Sequence, residues 1–264
     1  QAKKTQGVTE GTLYEHLLSL RNFKRLEGKC NSKQITQNVI DDFIRKRSPE
    51  VKRPTLNKDI RNLKTFVNWC RENRYLNGNL KLKELKVEER PVKSLNSSQI
   101  KKLLKATTPY PGIRMRVILG LATGLRRGDI ESLKISDIDF ERCCISTKSR
   151  KTGKSMAMRP VSGEVIRELS KYISRIKYIE NQLSNNTFNY RIWKKVCRTA
   201  GLADLKFHDL RKTFCSLLAQ KGVSTAVTQK LLEHSSPNLT NRIYTDVSPA
   251  LRDAINVLPL DEWL

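Results

Sequence analysis

FHDLRKTFCSLLAQKGVSTAVTQKLLEH, residues 207–234, reads as two consecutive helices. Over 208–221 the apolar Phe214, Leu217 and Leu218 recur at helical spacing, and His208 and Arg211 sit three residues apart. One face can therefore pack while another offers an imidazole and a guanidinium. Asp209 at the start complements the helix dipole. A second helical pattern covers 224–233. Beyond it, Tyr244 follows Pro237 on a short segment, and 249–258 reads as a last helix.

Upstream, helical patterns cover 162–179 and 187–200. Before them, Cys144–Thr147 and Met156–Val161 read as two strands around a basic, glycine-containing turn, Arg150–Ser155, which holds Lys151. Ser97–Lys105 and Ile113–Ala122 read as helices, Gly124 breaks the pattern and Arg126–Leu133 resumes it. Near the start, 8–26 reads as a helix with Leu13, Leu17, Leu20 and Phe23 on its stripe. A second covers 36–47 with Thr36 as N-cap, and a third runs from Pro54 to Arg74 with the proline in its first turn. A weaker segment follows Asn79.

The stretch KVEERPVKSLNSS, Lys86–Ser98, has no periodicity and reads as a linker. The expected organisation is a helical domain over 1–86, a linker over 87–96 and a second domain over 97–264. The fold class is mainly α (α+β): helical first, then mixed with a small antiparallel sheet.

The charge narrows the function. The 264 residues carry 51 Lys and Arg against 26 Asp and Glu, a net +25. Residues 1–90 hold +10 of it and the remainder +15, as expected if both halves grip one duplex. So large an excess argues against a neutral metabolic enzyme and for a polyanionic partner, nucleic acid above all. No apolar run is long enough to span a bilayer and no signal peptide is evident, so a cytoplasmic, DNA-associated protein without membrane partners is expected. The six cysteines form no C-x-x-C pair, which gives no zinc signal, and reduced thiols are expected. Cys143 and Cys144 are expected on opposite sides of a strand. The chain begins at Gln1 rather than Met, as a piece of something longer would.

Arg126, Lys151, His208, Arg211, His234 and Tyr244 follow one another in an order suited to phosphodiester chemistry. Attack on a phosphodiester adds charge to oxygens that already carry it, and planar, permanently charged guanidinium groups oppose that cost. Arg126 and Arg211 are the candidates. Asp129, three residues after Arg126, reads equally as a buttress or as half of a surface ion pair. Lys151 is the candidate general acid, with Lys148 and Lys154 as rivals on the same turn. Tyr244 is the candidate nucleophile, ten residues after His234.

These motifs resemble the tyrosine recombinases, the phage-integrase family. ATGLRRGDIESLKISDIDF looks like the family's first box, and the stretch from FHDLR through LLEH to RIYTDV looks like its second. The resemblance covers roughly 95–250, and over 8–80 rests on a helical pattern similar to the family's core-binding domain. It implies a catalytic set of Arg126, Lys151, His208, Arg211, His234 and Tyr244, with Asp129 accessory. It also implies strand cleavage through a 3′-phosphotyrosyl bond, without cofactor, metal or ATP. The implied partners are double-stranded DNA gripped on opposite faces, a homo-oligomer (a tetramer on two sites, exchanging a C-terminal segment such as Pro249–Leu264) and DNA-bending or directionality factors. The expected role is integrase of a mobile element. A type IB topoisomerase or resolvase with the same chemistry, and a non-catalytic DNA-binding protein, are the alternatives. Three residues depart from the family's pattern: Glu233 where Gly usually precedes the histidine, Asp129 for the commoner Glu, and Asp246 where His is usual. The family's frequent N-terminal arm-binding domain has no counterpart in these residues.

Overall fold

The computed structural model describes residues 7–28, 31–76, 78–88, 94–146, 158–175, 188–232 and 253–263. It divides into two compact units, Gln1–Arg90 and Pro91–Leu264.

The first unit is built on α1 (Glu10–Glu27), α2 (Gln37–Arg47) and α3 (Arg53–Glu72). Thr36 caps α2 as its spacing predicts, its hydroxyl accepting from the Val39 N–H. Pro54 stands in the first turn of α3, which buries Leu56, Ile60, Leu63, Val67 and Cys70 against Phe23, Ile40 and Phe43. Two expectations fail here. Leu17 is 44% exposed, whereas Ser19 is buried. The Ser19 hydroxyl donates to the buried Asp59 carboxylate at 2.7 Å, and Arg47 Nε donates to its other oxygen at 3.0 Å. Leu17 therefore faces solvent and Ser19 turns inward to this polar network, while Leu20 and Phe23 of the same stripe still meet the core. Second, no helix follows Asn79: residues 79–88 are irregular. Their backbone is satisfied by side-chain amides instead. Asn57 bonds both the N–H and the carbonyl of Leu85 at 2.8 Å, and Gln37 does the same at Lys81.

The second unit contains α4 (Ser97–Ala106), α5 (Pro111–Thr123), α6 (Arg127–Glu131), β1 (Ile138–Asp139), β2 (Cys144–Ile145), β3 (Arg159–Pro160), α7 (Gly163–Arg175), α8 (Tyr190–Thr199), α9 (Phe207–Gln220) and α10 (Thr225–Leu232). Helix α5 is buried from Met115 to Thr123, with α9, α7 and α6 packed around it. An all-round apolar helix is a core helix, and this one centres the unit. The sheet is antiparallel in the order β1-β2-β3, with Ile138 opposite Ile145 and Ile145 opposite Arg159. The mainly helical fold with a small antiparallel sheet is as the sequence implies.

Several details differ. Strand β1 is new, and the resumed helix after Gly124 spans only Arg127–Glu131 before a 3-10 turn at Ile135–Asp137. Cys143 does not alternate with Cys144 along a strand: its φ of 51° places it in a tight turn, and only Cys144 enters β2. In the predicted last helix the described part is one helical turn, 253–256. Ala254, Ile255, Leu258, Leu260 and Trp263 are buried in this unit's own core. The five described cysteines are free thiols, and Cys30 lies outside the described residues. Among the described residues no helix is long and apolar enough to cross a membrane.

Candidate active site

The site grows from the end of α5. Gly124 caps that helix with a left-handed φ of 62°. A Cβ there would lie 2.5 Å from Phe214 Cδ1 and 2.8 Å from Leu232 Cδ2, so conformation and space both require glycine. Thr123 braces the same turn: its hydroxyl donates to the Leu119 carbonyl at 2.6 Å and accepts from the Leu125 N–H at 3.2 Å. The turn delivers Arg126 as N-cap of α6, its side chain 36% exposed. Asp129 is buried in the first turn of α6, with its Oδ2 3.8 Å from Arg126 Nη1.

Helix α9 arrives from the other side. Asp209 accepts from the Lys206 N–H at 3.0 Å and from Lys212 Nζ at 2.8 Å. Burial works against its charge, but those bonds outweigh it and hold its pKa below the ordinary value. His208 is exposed at the helix start. Partial desolvation of its imidazole, then the charges of Arg211 and Lys212, push its pKa down, with Asp209 opposing and Arg126 adding to the fall. Arg126 and His208, 82 residues apart in sequence, thus lie within electrostatic reach.

Arg211 does not share the exposed face with His208. It is 5% exposed, Nη1 donating to the Gly124 carbonyl at 2.6 Å and Nη2 to the Leu232 carbonyl at 2.7 Å. One guanidinium therefore joins α9, the turn that carries Arg126 and the end of α10. Leu232 stands two residues before His234.

A second buried guanidinium escaped the sequence reading. Arg159 on β3 is 5% exposed and donates from Nη1 to the Thr123 carbonyl at 2.7 Å. Alternation gives little signal for it: over Met156–Val161 Arg159 falls with Ala157 and Val161, and the opposite set, Met156, Met158 and Pro160, is wholly apolar. Of the predicted site, Arg126, Asp129, His208 and Arg211 meet here. Lys151 with its rivals Lys148 and Lys154, His234 with Glu233, and Tyr244 with Asp246 lie outside the described residues.

The sequence pattern of the phage integrase family matches residues 93–250, more than half of the chain. The chain belongs to the phage integrase family. Every predicted site residue falls inside the matched span. Among relatives in this family, tyrosine recombinase XerA of Saccharolobus solfataricus is 30% identical over 245 residues, covering 92% of this chain and 76% of that protein. XerA of Pyrococcus furiosus is 30% identical over 189 residues, 66% of this chain and 65% of its own length. The fold is that of solved integrases and recombinases. Lambda integrase (75–356), as a dimer bound to a COC′ core site, superposes with a TM-score of 0.73 at 19% identity, covering 90% of this chain and 92% of that one. XerH recombinase bound to a palindromic difH substrate gives 0.73 at 20% identity, covering 89% and 76%.

Proposed function

We propose that this chain is a site-specific DNA recombinase that cleaves and rejoins strands through a 3′-phosphotyrosyl bond on Tyr244. The observation that carries the reading is the meeting of Arg126, Asp129, His208 and Arg211 at one junction, where the α5–α6 turn, the start of α9 and the end of α10 converge. The family match and the recombinase relatives support it.

In the proposed reaction the Tyr244 phenol gives its proton to a neutral histidine, His208 or His234, as its oxygen attacks the scissile phosphorus and the bond to the 5′ oxygen breaks. Lys151 gives that oxygen its proton, leaving a free 5′ hydroxyl. Arg126 and Arg211 offset the charge that builds on the non-bridging oxygens, and His208 and His234 contribute hydrogen bonds or proton transfer at the same phosphate. In the return step the 5′ hydroxyl of a partner strand gives its proton to Lys151 as it attacks the phosphotyrosine, and the Tyr244 phenol leaves with the proton held by the histidine. The phosphotyrosine conserves the bond energy, so neither ATP nor a metal is needed. The proposal includes double-stranded DNA as partner and a homo-oligomer, a tetramer on two sites, with DNA-bending or directionality factors as further partners. It also includes a domain division of 1–86 for DNA gripping and 97–264 for catalysis.

The test uses labelled fragments of the source genome, nicked to trap cleavage, with the protein and its Tyr244→Phe variant on a denaturing gel. A chelator-insensitive, Tyr244-dependent protein–DNA adduct is expected. An adduct that survives in the variant, or that EDTA abolishes, contradicts the reading. Sequencing the trapped DNA tests the further proposal of a mobile-element integrase, for which element ends are expected.

A further inference from the structure

We infer that Arg159 is a positioning residue for Arg126: it fixes, from β3, the turn on which Arg126 is presented to the phosphate. The inference rests on the recombinase reading for its consequence in the reaction and on geometry for the positioning itself.

The turn Thr123–Leu125 has two successive carbonyls, and each is held by a different buried guanidinium. Arg159 bonds the Thr123 carbonyl at 2.7 Å and Arg211 bonds the Gly124 carbonyl at 2.6 Å. These carbonyls belong to the end of α5, where helical acceptors lack partners of their own. A left-handed glycine is a backbone position with little intrinsic stiffness, so what surrounds Gly124 decides where the chain leaves the helix. Arg126 is two residues further on, and a small rotation about that turn would sweep its guanidinium through ångströms. Pre-organised donors stabilise a developing charge only when held in place beforehand.

Arg211 anchors the turn from α9 and α10, and Arg159 anchors it from the sheet. It is placed for this by its register. Arg159 stands opposite Ile145, which is fully buried, and Val161 N–H closes on the Cys143 carbonyl at 2.9 Å, so β3 cannot slide without breaking the sheet. A buried arginine in a strand position flanked by apolar neighbours costs desolvation free energy, and its charge-assisted bond to Thr123 offsets part of that.

The test compares Arg159→Met, close in length but without a donor, and Arg159→Lys, which keeps a donor and charge. Amide hydrogen exchange at Gly124, Leu125 and Arg126 reads the turn directly, whether or not the chain cleaves DNA. In Arg159→Met those amides are expected to exchange at least about tenfold faster while α4 and α7 keep their protection, with Arg159→Lys in between. Single-turnover cleavage of a nicked substrate is expected to slow at least about tenfold in Arg159→Met with DNA affinity changed less than threefold, and to recover in part in Arg159→Lys. Unchanged local exchange overturns the inference, as does faster exchange throughout the unit or an unslowed cleavage rate. If the unaltered chain forms no adduct, the recombinase reading falls, and the exchange result alone decides whether Arg159 holds the turn.

Discussion

Arg211 shows how much a single side chain does in this site. Its guanidinium is spent on two backbone carbonyls from separate segments, so it is part of the fold as well as of the chemistry proposed for it. Hydrogen bonds from charged donors contribute roughly 1.5–3 kcal/mol each, and Arg211→Ala should lower stability by about 3 kcal/mol in urea unfolding. Arg211→Lys, which reaches one carbonyl at most, should lose about half of that. A loss below about 1 kcal/mol for the alanine variant would mean that the two bonds do not hold the junction. His208 gives a second prediction. Its folded-state pKa lies below the ordinary 6.5, so the folded chain resists protonation more than the unfolded chain does. The group leaves stability unchanged above pH 6.5 and lowers it as pH falls below 6.5 toward the folded value. With three histidines in the chain, an NMR titration resolves it, and His208→Gln should flatten that part of the stability–pH curve. A DNA phosphate seated between the arginines should raise the His208 pKa; no rise on saturation with DNA would place the phosphate elsewhere.

At the scale of elements, legibility follows from which physical signal dominates. Helix α5 announced itself by apolar density and its stop at Gly124, and α9 by Phe214, Leu217 and Leu218 at helical spacing. The α2 cap at Thr36 was legible because capping is local. What could not be read was set by tertiary partners. The buried Asp59 turns a serine of α1 inward, and the amides of Asn57 and Gln37 hold 79–88 out of a helix. Strands of two residues are too short to show alternation, which hid β1 and with it the turn at Cys143. In the site, motif order singles out the residues, but the inward direction of Arg211 depends on α5 and α10. The first unit carries its own prediction. Arg25 and Arg47 both bond Glu50, joining the ends of α1 and α2 to the loop before α3, and hold its pKa down at about 2 from an ordinary 4.5. That contribution is fully present above pH 4.5 and is lost as pH falls through about 2. Once the stability–pH curves are normalised at pH 7, Glu50→Gln should therefore fall less steeply between pH 4.5 and about 2 than the unaltered chain. Superimposable acid curves would show that the pair is solvated away.

The whole molecule carries +25, distributed over both units, and this governs binding before any chemistry. Each phosphate neutralised should add about 0.9 to the salt dependence of log affinity. With six or more contacts, affinity should fall at least about a thousandfold between roughly 50 and 200 mM salt. A fluorescence titration at several salt concentrations reads the slope, and a slope near zero would remove the electrostatic grip from the account. The central claim is narrower: the junction of Arg126, His208 and Arg211 serves attack by Tyr244. The most direct measurement is to trap the protein on nicked target DNA, digest both components and locate the remaining nucleotide by mass spectrometry. The account predicts a single 3′-phosphonucleotide on the peptide containing Tyr244. A nucleotide on any other side chain would contradict it.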